Sequence, residues 1–227
     1  MSTYLNTLLF GIYPYIAIVT MILGSILRYD QNPYSWKADS SQLLSRKGLR
    51  WGSNLFHVGI LLLFFGHLVG LLTPHWAYEP FISAGDKQMV AMVAGGIFGT
   101  MSLVGMIILI WRRVGNSRIR ATTKPMDMAI LLILFVQMIL GLATIPVSAQ
   151  HPDGSSMIAL ASWAQAIVTF QPGAADFIAD QAIIFKLHIF LGLTIFLLFP
   201  FTRLVHMFSV PLKYVLRSGY QVVRKRG

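Results

Sequence analysis

The stretch Trp51-Gly52-Ser53-Asn54-Leu55-Phe56-His57-Val58-Gly59-Ile60-Leu61-Leu62-Leu63-Phe64-Phe65-Gly66-His67-Leu68-Val69-Gly70-Leu71-Leu72 contains no Asp, Glu, Lys or Arg. An apolar run of about 20 residues is the length an α-helix needs to cross the hydrocarbon core of a bilayer. Four similar runs lie near Tyr4–Leu27, Met89–Trp111, Met126–Val147 and Ala182–Phe208. The sequence therefore predicts an all-α, polytopic membrane protein. We expect a five-transmembrane-helix bundle forming a single domain over residues 1–227. The first run has no basic residue ahead of it and ends in Leu27-Arg28-Tyr29-Asp30, so it is read as a retained helix and not as a cleaved signal.

Composition agrees. Residues of the AVILMFWYC class make up 56% and charged residues 11%, against about 25% charged in a soluble domain. A soluble enzyme, a disordered chain and a nucleic-acid module are excluded. The basic excess, 18 Lys and Arg against 8 Asp and Glu, reads as topology. Arg28, Lys37, Arg46, Lys47 and Arg50 separate spans one and two, and Arg112, Arg113, Arg118, Arg120 and Lys124 separate spans three and four. Arg203, Lys213, Arg217, Arg224, Lys225 and Arg226 close the chain. Only Lys87 and Lys186 fall on the other side. The positive-inside rule puts the N-terminus outside and the C-terminus, with a basic tail over residues 209–227, in the cytoplasm. The apolar segment Met157–Phe170 is too short to span and is expected to lie along the outer interface.

Cysteine is absent, so a metal centre in this chain rests on histidine or carboxylate. His57 and His67 lie on span two, and His188 and His206 on span five. One polar side chain at bilayer depth is more often a packed residue bonded to a neighbour. Two pairs on two helices are harder to ascribe to packing. Spans two and five run in opposite directions, so His57 and His206 share the inner level and His67 and His188 the outer level. Two imidazoles per level suit axial coordination of haem iron, whereas zinc asks for three or four ligands at one level. Two b-type haems stacked across the membrane is the reading that follows.

Spacing gives mixed support. On a continuous helix His188 and His206 lie roughly 27 Å apart, and His57 and His67 roughly 15 Å, a mismatch of about 12 Å. His75, which would fit the longer spacing, is set aside because Thr73-Pro74 ends the helix. Gly59, Gly66 and Gly70 leave span two open to a flat ring or another backbone. Arg50, Arg112 and Arg203, at the inner ends, are candidate partners of haem propionates, though inside-positive anchoring is the simpler account of each. The tail Lys213–Gly227 mixes Tyr214, Leu216, Tyr220 and Val222 with cations. That suits a docking surface for a partner subunit, with anionic lipid as the alternative.

Several segments resemble the gamma subunit of respiratory nitrate reductases. In span two these are Asn54-Leu55-Phe56-His57-Val58-Gly59-Ile60, Phe65-Gly66-His67 and Thr73-Pro74-His75-Trp76. In span five they are Leu187-His188 and Phe199-Pro200-Phe201-Thr202-Arg203-Leu204-Val205-His206. Ile12-Tyr13-Pro14-Tyr15, Leu27-Arg28-Tyr29-Asp30 and Ser148-Ala149-Gln150-His151 are similar too. The resemblance implies a dihaem cytochrome b of the bacterial cytoplasmic membrane that oxidises quinol. It implies that His57 and His206 ligate the inner, proximal haem and that His67 and His188 ligate the outer, distal haem. Quinol is expected near the distal haem, beside Lys87, Gly66 and His67. Electrons would pass to an Fe–S beta subunit and on to a molybdenum-containing alpha subunit that reduces nitrate. Two other readings compete: a dihaem cytochrome feeding a sulfur-metabolism reductase, and a haem-free membrane anchor or transporter.

Overall fold

The computed structural model describes residues 3–37 and 40–209, and the tail beyond Ser209 lies outside the described residues. Five helices are long and apolar enough to cross a membrane. They are α1 (Thr3–Gln31), α2 (Leu49–Leu72), α3 (Ala84–Gly115), α4 (Pro125–Ser148) and the run Ile183–Phe201, whose α-helical part is α6 (Ile183–Leu198); a shorter apolar helix, α5 (Ser155–Val168), precedes it. No strand occurs among the described residues.

α2 packs on α3, α3 on α4, α4 on α6 and α6 on α1. The tightest contact is between α2 and α3, and small residues permit it. A methyl group on Gly59 would lie 2.7 Å from the Phe98 carbonyl oxygen and 2.8 Å from the Ser102 nitrogen. A methyl group on Gly105 would strike the Phe56 nitrogen and the Gly52 carbonyl. The backbones thus touch, as small residues allow between membrane helices where no hydrophobic force draws them together. α2, which carries His57 and His67, and α6, which carries His188, are not neighbours in this packing order.

Helix α1 contains a π turn, Leu8–Ile12. Pro14 has no N–H to offer the Phe10 carbonyl four residues back. The Trp163 indole N–H, from α5, donates to that oxygen at 2.9 Å. Gln165 of α5 donates to the Leu71 carbonyl at 2.9 Å, and Tyr15 donates to the Ile167 carbonyl at 3.2 Å. Trp163, Ala164, Ala166 and Ile167 join Phe10, Ala17 and Ile178 in one core cluster. This corrects the expectation for Met157–Phe170. The segment turns its apolar face into the protein and closes one end of the bundle, because its indole, amide and backbone carbonyls find partners there. At its start the Asp153 carboxylate accepts from the Ser155 N–H and hydroxyl, which hold its carboxyl below the ordinary range.

Span five is the second correction. Apolarity alone carries it to Phe208, but α6 ends at Leu198. A 3-10 turn, Phe199–Phe201, follows, Thr202 is extended (φ −116°, ψ −179°), and a second 3-10 segment runs over Arg203–Ser209. Pro200 is the cause: it removes a helical donor and its ring obstructs the preceding turn. The other four spans match their expected runs to within a few residues.

Candidate haem and quinol sites

The break in span five decides the geometry of the histidines. A continuous helix would carry His206 about 12 Å too far along the bundle. With the chain turned aside at Thr202, the His206 ring comes opposite His57, with centroids 6.3 Å apart. The His188 ring faces His67 at 6.1 Å. Each expected pair is therefore brought together.

These separations can be weighed. A metal–imidazole bond is about 2 Å and the ring centre lies about 1 Å beyond the nitrogen, so two axial imidazoles on one ion put their centroids about 6 Å apart. Two imidazoles bonded directly through N–H···N would stand about 5 Å apart. The observed spacing fits an ion between the rings. Among the described residues no group of three or more His, Cys, Asp or Glu side chains is placed to hold a metal ion, and each level brings two imidazoles together.

Hydrogen bonds fix how the rings present themselves. His57 Nδ1 lies 2.8 Å from the Ser53 carbonyl oxygen, and His67 Nδ1 lies 2.7 Å from that of Leu63. His206 Nδ1 lies 2.5 Å from the Arg203 carbonyl. In each case an Nδ1–H that donates to backbone leaves the Nε2 lone pair for a metal, the arrangement by which ligating histidines are oriented. His188 differs: its Nδ1 is buried without a hydrogen-bond partner. Its ring lies instead against α4, where a methyl group on Gly141 would sit 3.0 Å from Cε1. Gln137, one turn away on α4, donates to the His188 carbonyl at 3.1 Å. Gly141 and Gln137 carry no motif, and only the α4–α6 contact reveals them.

Lys87 lies in the first turns of α3. Its ammonium sits over the Tyr78 ring, 3.8 Å from the centroid, and Nζ is buried with no hydrogen-bond partner. The phenol of Tyr78 is held above its ordinary pKa, first by burial and second by Glu79, so the ring stays neutral under the cation. Gln88, the next residue, donates to the Ser148 carbonyl at 3.0 Å and the His151 carbonyl at 2.7 Å. It also accepts from the Met157 N–H at 3.1 Å. These bonds fix the start of α3 to the ends of α4 and α5. The register set by Gly59 and Gly105 puts Lys87 level with Leu72, about 8 Å beyond His67 along α2. Gly66 is exposed, and a methyl group there would meet nothing within 4 Å; the same holds for Gly70.

The arginines divide. Arg112 is buried, and its guanidinium donates to Ser41 Oγ at 2.7 Å, to the Ser41 carbonyl at 3.1 Å, to the Lys47 carbonyl at 3.2 Å and to the Ser45 carbonyl. It anchors the loop between α1 and α2. Arg203 stands 3.8 Å from the Asp127 carboxylate. Arg50 is exposed on the first turn of α2. Arg28, assigned no site role from the sequence, donates to the Pro200 and Thr202 carbonyls, each at 2.7 Å. Of the remaining histidines, His75 pairs with Glu79 at 3.1 Å, and His151 Nδ1 lies 3.3 Å from the Val147 carbonyl.

Five apolar, membrane-length helices with two facing imidazole pairs define a class, the polytopic helical membrane proteins. Comparison narrows the class. The family model described as nitrate reductase gamma subunit matches residues 6–226. The chain is 54% identical over 226 residues to the respiratory nitrate reductase 2 gamma chain of Escherichia coli (strain K12), covering 100% of both chains. It is 52% identical to the respiratory nitrate reductase 1 gamma chain of the same organism, over 98% of this chain and 99% of that one. It is 40% identical to the nitrate reductase gamma chain of Bacillus subtilis (strain 168), over 96% of this chain and 98% of that one. The chain belongs to the nitrate reductase gamma subunit family.

Proposed function

We propose that this chain is the quinol-oxidising, dihaem cytochrome b subunit of a respiratory nitrate reductase in the bacterial cytoplasmic membrane. The observation that carries the reading is the pair of imidazole–imidazole separations, 6.3 and 6.1 Å, in a chain whose family is nitrate reductase gamma. His57 and His206 hold the inner haem, and His67 and His188 the outer. When bound, the two haems supply a one-electron relay from one membrane face to the other. The Ser53, Leu63 and Arg203 carbonyls keep three of the imidazoles in the tautomer that offers Nε2. Arg50 and Arg203 stand at the inner ends of the helices that carry these rings, where each is a candidate to pair with a propionate.

Quinol enters from lipid near the outer face. Lys87 Nζ, held over Tyr78 with no acceptor of its own, donates to a quinol oxygen, and Gly66 leaves the face of α2 beside His67 open to the ring. Oxidation of quinol to quinone releases two protons on the outer side and gives up two electrons. The basic loops put the opposite end in the cytoplasm. Each charge that crosses is worth about 2.3 kcal/mol per 100 mV, so outer proton release with inward electron flow builds a proton motive force without pumping. The inner surface hands electrons to an Fe–S beta subunit, which passes them to a molybdenum alpha subunit.

Spectra of the purified chain test this. Two b-type haems per polypeptide are expected, with His67→Ala or His188→Ala removing the outer one alone. Loss of the inner haem with retention of the outer would overturn the pairing.

A further inference from the structure

The interruption of span five is gripped from α1. Gly24 and Arg28 lie one turn apart on the same helix face. A methyl group on Gly24 would stand 2.8 Å from Cγ of Pro200, so the glycine admits the proline ring against the helix. Arg28 meets the two carbonyls that flank the break, Pro200 and Thr202, at 2.7 Å each. Its other nitrogens reach Ser35 Oγ at 2.9 Å and the Ser35 carbonyl at 3.1 Å. Thr202 is itself buried, and its hydroxyl accepts from the Leu204 N–H at 3.3 Å. Where a helix is broken inside an apolar bundle, its orphaned carbonyls need a donor, and leaving them bare is costly. Here that donor is a planar, permanently charged fork, and the released chain carries His206 only four residues beyond Thr202.

We propose that Arg28 is a positioning residue for the inner haem: with Gly24 it locks the Pro200–Thr202 break at the one angle that sets His206 opposite His57. The inference rests on the haem assignment above for its spectroscopic form, but its geometric form stands alone. A role confined to general stability would affect both levels of the bundle alike. The clamp acts on the His57–His206 level and leaves untouched His67, bonded within α2 to the Leu63 carbonyl, and His188, packed on α4.

In the assembled complex, Arg28→Ala should shift or remove the ferric low-spin resonance and the midpoint potential of the inner haem. The outer haem should keep its resonance, serving as an internal control. Arg28→Lys retains a cation able to reach both carbonyls and should return the inner resonance toward the parent position. Unchanged spectra in Arg28→Ala, loss of both haems together, or a lysine variant no nearer the parent than the alanine variant would each overturn the proposal.

A second measurement separates this claim from the haem reading. The chain has no cysteine, so a His57→Cys/His206→Cys chain in membranes reports only the introduced thiols. A short bifunctional thiol reagent should join them, and adding Arg28→Ala should lower the yield by roughly tenfold. Equal yields would defeat the positioning role. A parent complex without haem would defeat the proposed function and leave the cross-linking result to stand.

Discussion

At the scale of single residues, four histidines differ from the other two in what their rings meet. His75 and His151 are exposed and find a carboxylate and a carbonyl close by in sequence. The other four face one another in pairs. The least noticed contributor is Gly141. It bears no signature in sequence, because any small residue on an apolar helix reads as packing until the neighbouring helix is known. Gly141→Ala would set a methyl group 3.0 Å from the His188 ring, closer than most real contacts. The ring must tilt or the helices must part, and overpacking of this kind typically costs about 1–3 kcal/mol. The outer haem of that variant should show a displaced spectrum or reduced occupancy, with the inner haem unchanged; titration of haem per chain checks it.

Lys87 belongs to the same scale. Its partner among the described side chains is the Tyr78 ring, and its Nζ has no hydrogen-bond acceptor there; on the proposed function it would donate to a quinol oxygen. Lys87→Ala should raise the quinol concentration needed for half-maximal haem reduction by about tenfold, the loss of one charge-assisted hydrogen bond, without lowering haem content. Unaltered quinol oxidation would remove Lys87 from the site. Arg112 was legible as a charge at a span's end, but its use was not. Four acceptors in the loop after α1 hold it. Arg112→Ala should therefore make that loop more sensitive to protease while the inner haem potential stays in place.

At the scale of elements, most of the spans could be read directly because apolar length is a strong signal. Two failures have physical causes. In span five, hydropathy runs smoothly across Phe199-Pro200-Phe201 while the hydrogen-bond pattern does not, and only the second is sensitive to proline. The roughly 12 Å mismatch between the two histidine spacings was the visible trace of this break. In α5, a 14-residue apolar helix has the same composition whether it faces lipid or protein. What decides is the set of partners at Phe10, Tyr15 and Leu71, which are remote in sequence. The α2–α3 contact gives a prediction at this level. Gly105→Leu would force apart backbones that touch at Phe56 and Gly52. It should lower the thermal stability of the complex and reduce both haems together, unlike the level-specific variants above, as haem titration after heating would show.

At the scale of the whole molecule, the helices α2, α3, α4, α6 and α1 form a chain of neighbours in which α2, bearing His57 and His67, and α6, bearing His188, are not adjacent, and His206 follows α6 on a 3-10 segment. Their imidazoles bridge that separation at two depths. Basic residues gather at the end that carries His57 and His206, and Lys87 and Lys186 stand at the other. On the proposed function, this polarity would set the direction of transfer, with quinol entering at one face and electrons leaving at the other. The measurement that tests the account most directly is haem content per polypeptide in the purified chain, together with the spectra of His57→Ala, His67→Ala, His188→Ala and His206→Ala. The expected result is two haems, the inner lost with either His57 or His206 and the outer with either His67 or His188. One haem or none in the parent chain, or losses that follow any other pairing, would contradict it.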